Sequence, residues 1–293
     1  MIKRVAAYAA TLVATVGIAL GVGNTFESDD KKRNTSDDNI EELQIHYIDV
    51  GQGDATLIVS DGHAMLIDAG ENDKGSKVWS YLKNQGINEL DYVIGTHPDS
   101  DHIGGMDVIL YKFDCKNVFM PDYTKDTKTY DDVIKVAQNK NYKIKSVKAG
   151  DTYSLGKASF TVIAPNKKYE DSNNSSIGII LTYGEKSFLF TGDAEEEAEK
   201  DILANGIDIK ADVYKAGHHG SRTASCDEFL EKVKPEYIVI SCGEDNKYGH
   251  PHAAILNYCI FNHIPLYRTD KQGTIVLKTD GKNITWNMSQ AEY

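Results

Sequence analysis

Between His97 and His102 the chain packs two imidazoles and two carboxylates into six residues, in the run Thr96-His97-Pro98-Asp99-Ser100-Asp101-His102. Ile103-Gly104-Gly105 follows at once, and the apolar run Tyr92-Val93-Ile94-Gly95 precedes it. That apolar run reads as a buried strand opening into a loop. Folding by itself has no use for His-x-Asp-x-Asp-His. Four strong metal ligands on a loop at a strand's carboxyl end can face one point in space. Nitrogen and oxygen donors of this kind suit Zn, Mn or Fe better than metals preferring softer ligands. The fold must therefore bring a buried strand's end to a place where further ligands can meet it.

The segments around the loop say what kind of fold that is. Gln44–Val50, Ala55–Ser60 and His63–Ile67 read as three strands of an antiparallel meander, with a turn at Gly51-Gln52-Gly53-Asp54 and a hairpin signal at Asp61-Gly62. The Gly-rich turn resembles a phosphate loop only superficially, since no Lys-Ser/Thr follows it. The third strand ends in Asp68-Ala69-Gly70, a carboxylate at a strand terminus. Gly75–Gln85 reads as a helix stopped by Gly86, and Ile103–Phe113 as another with its amino end at the ligand loop. Val118–Met120, a helix over Asp131–Asn139, and strands at Lys143–Val147 and Ser159–Ala164 complete the first half.

A second half echoes the first. Ile177–Tyr183 and Ser187–Phe190 are strands, and the latter runs into Thr191-Gly192-Asp193. A helix over Ala194–Ala204 precedes a strand, Asp212–Lys215, which leads to Gly217-His218-His219-Gly220-Ser221. A helix at Glu228–Val233 and a strand at Tyr237–Ser241 lead to Gly249-His250-Pro251-His252, and Ala253–Asn262 is helical. Strands at Leu266–Thr269, Thr274–Lys278 and Asn283–Trp286 close the chain. Two packed sheets with helices outside, a four-layer αββα sandwich of the α/β class, fit this order better than an open parallel sheet.

Composition settles the outer limits. A chain of 293 residues with 41% hydrophobic and 26% charged residues supports a large soluble core. A formal net charge of −12 argues against broad electrostatic capture of nucleic acid, although bound cations would invert the sign locally. Cys115, Cys226, Cys242 and Cys259 are widely spaced and read as buried free thiols, not a zinc knuckle. Lys3 and Arg4 followed by the uncharged run Val5–Gly23 have the form of a secretory signal or membrane anchor, with the uncleaved anchor favoured. Residues 24–42 are a polar tether, and 43–293 form the folded domain, which on this reading lies outside the cytoplasm.

Of nine histidines, His46 and His63 fall in meander strands and His263 lies apart. The other six sit in loops after apolar strands, together with Asp68, Asp99, Asp101 and Asp193. The ordered motifs IDVGQGDATLI, THPDSDHIGG, FLFTGD, KAGHHGSRT and YGHPH resemble the metallo-β-lactamase superfamily, and within it the extracytoplasmic hydrolase domain of ComEC-type DNA-uptake proteins. The resemblance implies two divalent ions, Zn or Mn. His97 and Asp99 would hold one, Asp101 and His102 the other, Asp193 would bridge them, and His218 would complete the second site. Asp68 would sit behind the ligands and orient an imidazole. The histidine that such proteins carry between the ligand loop and Thr-Gly-Asp is missing here: Asn173-Asn174-Ser175-Ser176 stands in its place, with Asn174 expected behind the ligands. Asp99 stands where many members have His, which hardens the first site toward Mn.

The chemistry implied is hydrolysis of a phosphodiester, most plausibly DNA, by a metal-activated water. Asp101 would orient the water, His219 would donate a proton to the leaving group, and Ser221, His250 and His252 would contact substrate. A cell-wall phosphodiester such as a phosphorylcholine ester, or a non-catalytic metal-binding module on the same fold, are the alternatives.

Overall fold

The computed structural model describes residues 42–293. The expected signal or anchor at 1–23 lies outside the described residues, as does all but the last residue of the expected tether. Among the described residues no helix is long and apolar enough to cross a membrane.

The meander is β1 (Leu43–Tyr47), β2 (Thr56–Ser60) and β3 (His63–Ile67). Side-chain alternation sets which way each residue points. On β1, Leu43, Ile45 and Tyr47 pack into the core between the sheets, while His46 turns the other way and bonds the Tyr81 hydroxyl through Nδ1 at 2.8 Å. After α1 (Gly75–Asn84) the pairing switches: β4 (Glu89–Ile94) lies parallel to β3 and β5 (Asp114–Phe119) parallel to β4. Helical crossovers, α1 and then α2 (Ser100–Ile103) with α3 (Met106–Lys112), return the chain to the same end each time. Next come α4 (Lys128–Asn139) and the short β6 (Ile144–Lys145).

The second sheet repeats the scheme. Its antiparallel part is β7 (Thr152–Leu155), β8 (Ala158–Ala164), β9 (Gly178–Tyr183) and β10 (Lys186–Phe190). Three parallel strands follow, β11 (Val213–Lys215), β12 (Tyr237–Ile240) and β13 (Leu266–Arg268), reached through α5 (Glu196–Ala204), α6 (Asp227–Val233) and α7 (Ala253–Asn262). A one-turn α8 (Thr269–Gln272) then sends β14 (Ile275–Thr279) and β15 (Ile284–Trp286) back to the first sheet. The strand orders are β15-β14-β1-β2-β3-β4-β5-β6 and β13-β12-β11-β10-β9-β8-β7.

Three apolar layers hold the sandwich together. Tyr47, Met65, Phe119, Phe160 and Phe188 lie between the sheets. Val78, Leu82, Ile109 and Val133 seal helices onto the first sheet, and Ile202, Phe229, Leu230 and Ile255 seal them onto the second. Each such buried side chain contributes about 1.5–3 kcal/mol. The expected αββα architecture is therefore the observed one. All four cysteines are free thiols, with Cys226 half-buried and the other three buried.

One expected element divides. The helix read over Ile103–Phe113 is broken into α2 and α3 at Gly104-Gly105, because the loop after β3 closes against it there. A Cβ on Gly104 would lie 2.3 Å from both the Asn72 nitrogen and the Ser100 carbonyl oxygen, and one on Gly105 would lie 2.4 Å from the Ala69 oxygen. In exchange, the Ala69 N–H donates to the His102 carbonyl at 2.7 Å and the Gly105 N–H to the Gly70 carbonyl at 3.0 Å. Strand β7 and helix α8 had no sequence signal, being four residues each and mostly polar.

Candidate metal centre

The loops after β3, β4, β10, β11 and β12 bring their polar residues to one edge of the sandwich. Asp68 organises the first of them. Its Oδ1 accepts the Thr96 N–H at 2.8 Å, and its Oδ2 accepts the Thr96 hydroxyl and His102 Nδ1, each at 2.8 Å. The Thr96 proton is thereby committed to Asp68, so the contact of Thr96 Oγ1 with His97 Nδ1 at 3.1 Å is one in which the imidazole donates. The same logic holds across the centre. Thr223 gives its proton to Glu195 at 2.9 Å and accepts from His218 Nδ1 at 3.1 Å, and His219 Nδ1 lies 3.0 Å from the Ser241 carbonyl, which can only accept. Four imidazoles thus have their Nδ1 protons held by the chain and present their Nε2 inward.

All four face Asp193. The Nε2 atoms of His102, His219, His218 and His97 lie 3.2, 3.4, 3.7 and 4.0 Å from its carboxylate oxygens. His102 and His219 also approach each other, Nε2 to Nε2, at 3.3 Å. Two bare nitrogens at that distance repel unless a proton or a cation lies between them. Donors around a tetrahedral ion at about 2.1 Å stand roughly 3.4 Å apart, and the spacings among His102, His219 and Asp193 match that value.

Asp54 joins them, a residue that sequence reasoning assigned to a mere turn. Asp54, His102, Asp193 and His219, all buried, each offer an atom within 4.8 Å of every other. Gly53 makes this possible: with φ at +127° and the Asp101 carbonyl 2.3 Å from where a Cβ would stand, no side chain fits there. The Asp54 N–H donates to that carbonyl at 3.0 Å. Lys215, at the end of β11, donates to Asp54 Oδ2 at 2.5 Å. Asp54 Oδ1, His97 Nε2 and Asp193 Oδ1 are buried without a hydrogen-bond partner. Buried polar atoms are rarely left so, and divalent cations are partners that suit carboxylate oxygens and imidazole nitrogens alike.

Electrostatics agree with the geometry. Burial would raise the carboxyl pKa values, but His102 and His219 overcome it and hold Asp101 and Asp193 below the usual carboxylate range. Burial opposes Asp54 likewise, and Lys215 and His219 still bring it down to about 2. For His102 and His219 burial acts to lower the pKa, yet Asp193, with Asp68 beside one and Asp54 beside the other, pushes both well above the ordinary imidazole value. His97 differs: burial, reinforced by His102, brings it down to about 4. The negative potential that holds protons on His102 and His219 is the same one that would hold a metal, so the two compete.

The His97 side is looser. His97 Nε2 is 3.9 Å from Asp99 Oδ1, and that oxygen already accepts from Lys125 Nζ at 2.6 Å and Ser172 Oγ at 2.5 Å.

The expected roles redistribute. The ligand expected beside Asp101 and His102 is His218, but His219 occupies that place, with Nε2 3.2 Å from Asp101 Oδ2. The cause is backbone conformation: His218 and His219 are both left-handed, at φ +48° and +54°, and the coil turns His219 inward while His218 stays on the rim. Asn174 does not stand behind the ligands. Its Oδ1 caps α5, accepting the Glu195 and Ala198 N–H groups at 3.0 and 3.2 Å. Ser176, two residues on, takes the supporting place: its Oγ accepts the Asp193 N–H at 3.1 Å and lies 3.3 Å from His97 Nδ1. Ser221 is buried, its hydroxyl turned to Thr223 at 3.0 Å rather than to the cavity. His252 supports the rim by accepting the Arg222 N–H at 3.0 Å. His250 does line the cavity, and burial with the neighbouring histidines lowers its pKa to about 4, so it is neutral.

The cavity over the centre is about 160 Å³, walled by Asp99, Asp101, Asp193, His218, His219 and His250 among others. Lys215, Asp54 and Ser176 are the contributors that sequence reading missed. No sequence signal marked Asp54, which stands in the turn between β1 and β2, where Gly51-Gln52-Gly53-Asp54 reads as a turn former.

The metallo-β-lactamase superfamily model matches residues 48–244. The chain is 32% identical to ComE operon protein 3 of Bacillus subtilis over 253 residues, 80% of this chain and 33% of that protein. It is 32% identical to Recombination protein 2 of Haemophilus influenzae over 239 residues, 80% of this chain and 28% of that protein. It therefore spans about a third or less of the length of these relatives. Among solved structures, CmlA, a diiron β-hydroxylase from Streptomyces venezuelae, is similar with a TM-score of 0.50 and 16% identity, over 80% of this chain and 52% of that one. A CmlA mutant reaches 0.54 at 15% identity, over 81% and 54%. Likeness at such identities speaks to the fold alone. The family match and the competence relatives speak to membership, and the chain belongs to the metallo-β-lactamase superfamily with a domain of the ComEC type.

Proposed function

We propose that this chain is a metal-dependent phosphodiesterase acting on DNA, exported and tethered to the membrane by residues 1–23. The observation that carries the reading is the convergence of four imidazole Nε2 atoms on Asp193, with Asp54 and Asp101 beside them. Divalent ions, Zn or Mn, held by His102, His219, Asp101, Asp193 and Asp54 on one side and by His97, Asp99 and the shared Asp193 on the other, would supply Lewis-acid polarisation of a phosphoryl oxygen and an ionised water at neutral pH. Asp101, on the cavity wall, would accept a hydrogen bond from the attacking water and aim it. His219 also lines the cavity, but it is 1% exposed and its Nε2 is turned to Asp101, Asp193 and His102, the place of a ligand. His218 is the better proton donor, because it lines the cavity with 22% of its side chain exposed and Glu195 Oε1, 3.1 Å from its Nδ1, holds the ring in place. DNA is preferred as substrate because relatives bear the names of competence and recombination proteins.

The test is a substrate panel with the full chain, loaded with Mn or Zn. Single-stranded DNA, duplex DNA, bis-nitrophenyl phosphate and nitrophenyl phosphorylcholine are offered to the wild type and to Asp101→Asn. Turnover of DNA and the bis-ester, falling about 100-fold or more in the variant, is expected. Turnover of the choline ester alone would replace the nuclease by a cell-wall esterase. Metal binding without any turnover would leave a binding module.

A further inference from the structure

Four aspartates face the centre, and two of them already carry a lysine. Lys215 Nζ sits on Asp54 Oδ2 at 2.5 Å and Lys125 Nζ on Asp99 Oδ1 at 2.6 Å. Asp68 and Glu195 are set back behind His102 and His218. The two lysines cancel two of the four inward negative charges, and what remains on Asp101 and Asp193 matches one divalent ion. The poles are also unequal in geometry. Around His102 the ligand atoms are buried and clustered within 4.8 Å. Around His97 the facing carboxylate oxygen is 3.9 Å away and is occupied by both an ammonium and the Ser172 hydroxyl. A cation approaching that oxygen meets the charge of Lys125 at close range, in a partly dehydrated site where Coulomb repulsion is little screened.

We infer that Lys125 competes with metal for Asp99, so that the chain holds one ion tightly and takes a second only weakly. The two lysines differ in how firmly they are held. Lys215 is 3% exposed and anchored at the end of β11, a fixed partner of Asp54. Lys125 is 33% exposed and rides on the loop between β5 and α4, from which its long side chain can swing to solvent and yield Asp99 to an ion. The inference rests on the reading of this centre as a divalent-metal site, and is independent of the substrate.

The experiment is a titration of the chelator-stripped full chain with Mn by calorimetry, with metal counted per chain after desalting, for wild type, Lys125→Met and Lys125→Arg. The wild type is expected to retain one Mn per chain and to show a second, weaker binding phase. Lys125→Met should tighten that second phase about 10-fold or more, the worth of a charge-assisted hydrogen bond, with the first unchanged. Lys125→Arg should leave it weak. Two equally tight ions in the wild type, or a second phase indifferent to Lys125→Met, overturns the inference. A chain that binds no Mn overturns the metal reading beneath it.

Discussion

Lys215 and Asp54 are the residues on which the centre's stability turns. Both are sealed from solvent, and neither could be buried without the other. Lys215→Met strands a carboxylate in the interior, and a loss of about 3–5 kcal/mol is expected in urea unfolding of the metal-free chain. The double variant with Asp54→Asn should recover most of it, since the orphaned charge goes too. A loss below about 1 kcal/mol for the single variant would mean that the pair is solvated in solution. Neither residue was legible in the sequence. A lysine in Val213-Tyr214-Lys215 looks like the polar end of a strand, and the aspartate of Gly-Gln-Gly-Asp looks like a turn former. Only the closure of one sheet on the other joins them. The choice between His218 and His219 was hidden for a related reason: it depends on two successive left-handed residues, a backbone state that residue type does not announce outside glycine.

At the scale of elements, what the sequence did announce was the end of each strand. Apolar runs stopped by Asp68, His97, Asp193, His218 and His250 gave the loops and their order, because strand cores and turn formers differ in composition. The break between α2 and α3 was not announced, since Gly104-Gly105 can sit inside a helix as well as end one. Its reason is the neighbouring loop, which leaves no room for a Cβ. Gly104→Ala should therefore cost about 1–3 kcal/mol by overpacking. It should also push the His102 loop outward, so metal retained after desalting falls along with thermal stability. An alanine variant that keeps its full metal content would show that the loop adjusts without moving its ligands.

At the scale of the whole molecule, Asp54, His97, Asp101 and His102 follow strands of the first sheet, whereas Asp193 and His219 follow strands of the second. An ion shared by these residues would thus fasten the two halves together. Mn at about 100 times its dissociation constant should add about 2.7 kcal/mol to stability, a rise in Tm of roughly 5–10 °C for a domain of this size. Chelator should reverse it, and Asp193→Ala should abolish it. An unchanged Tm on adding Mn to a folded, stripped chain would mean that these side chains do not share an ion.

The same division of ligands between two sheets governs when the candidate centre can assemble. β1 pairs with β14, Leu43 opposite Thr279, so the first sheet is unfinished until β14 has been made. Lys215 and His219 come late as well, long after the strands that carry their partners Asp54 and His102. A growing chain therefore owns pieces of the centre but never a working fraction of it. Capture of an ion by these side chains is therefore expected only once both sheets have closed.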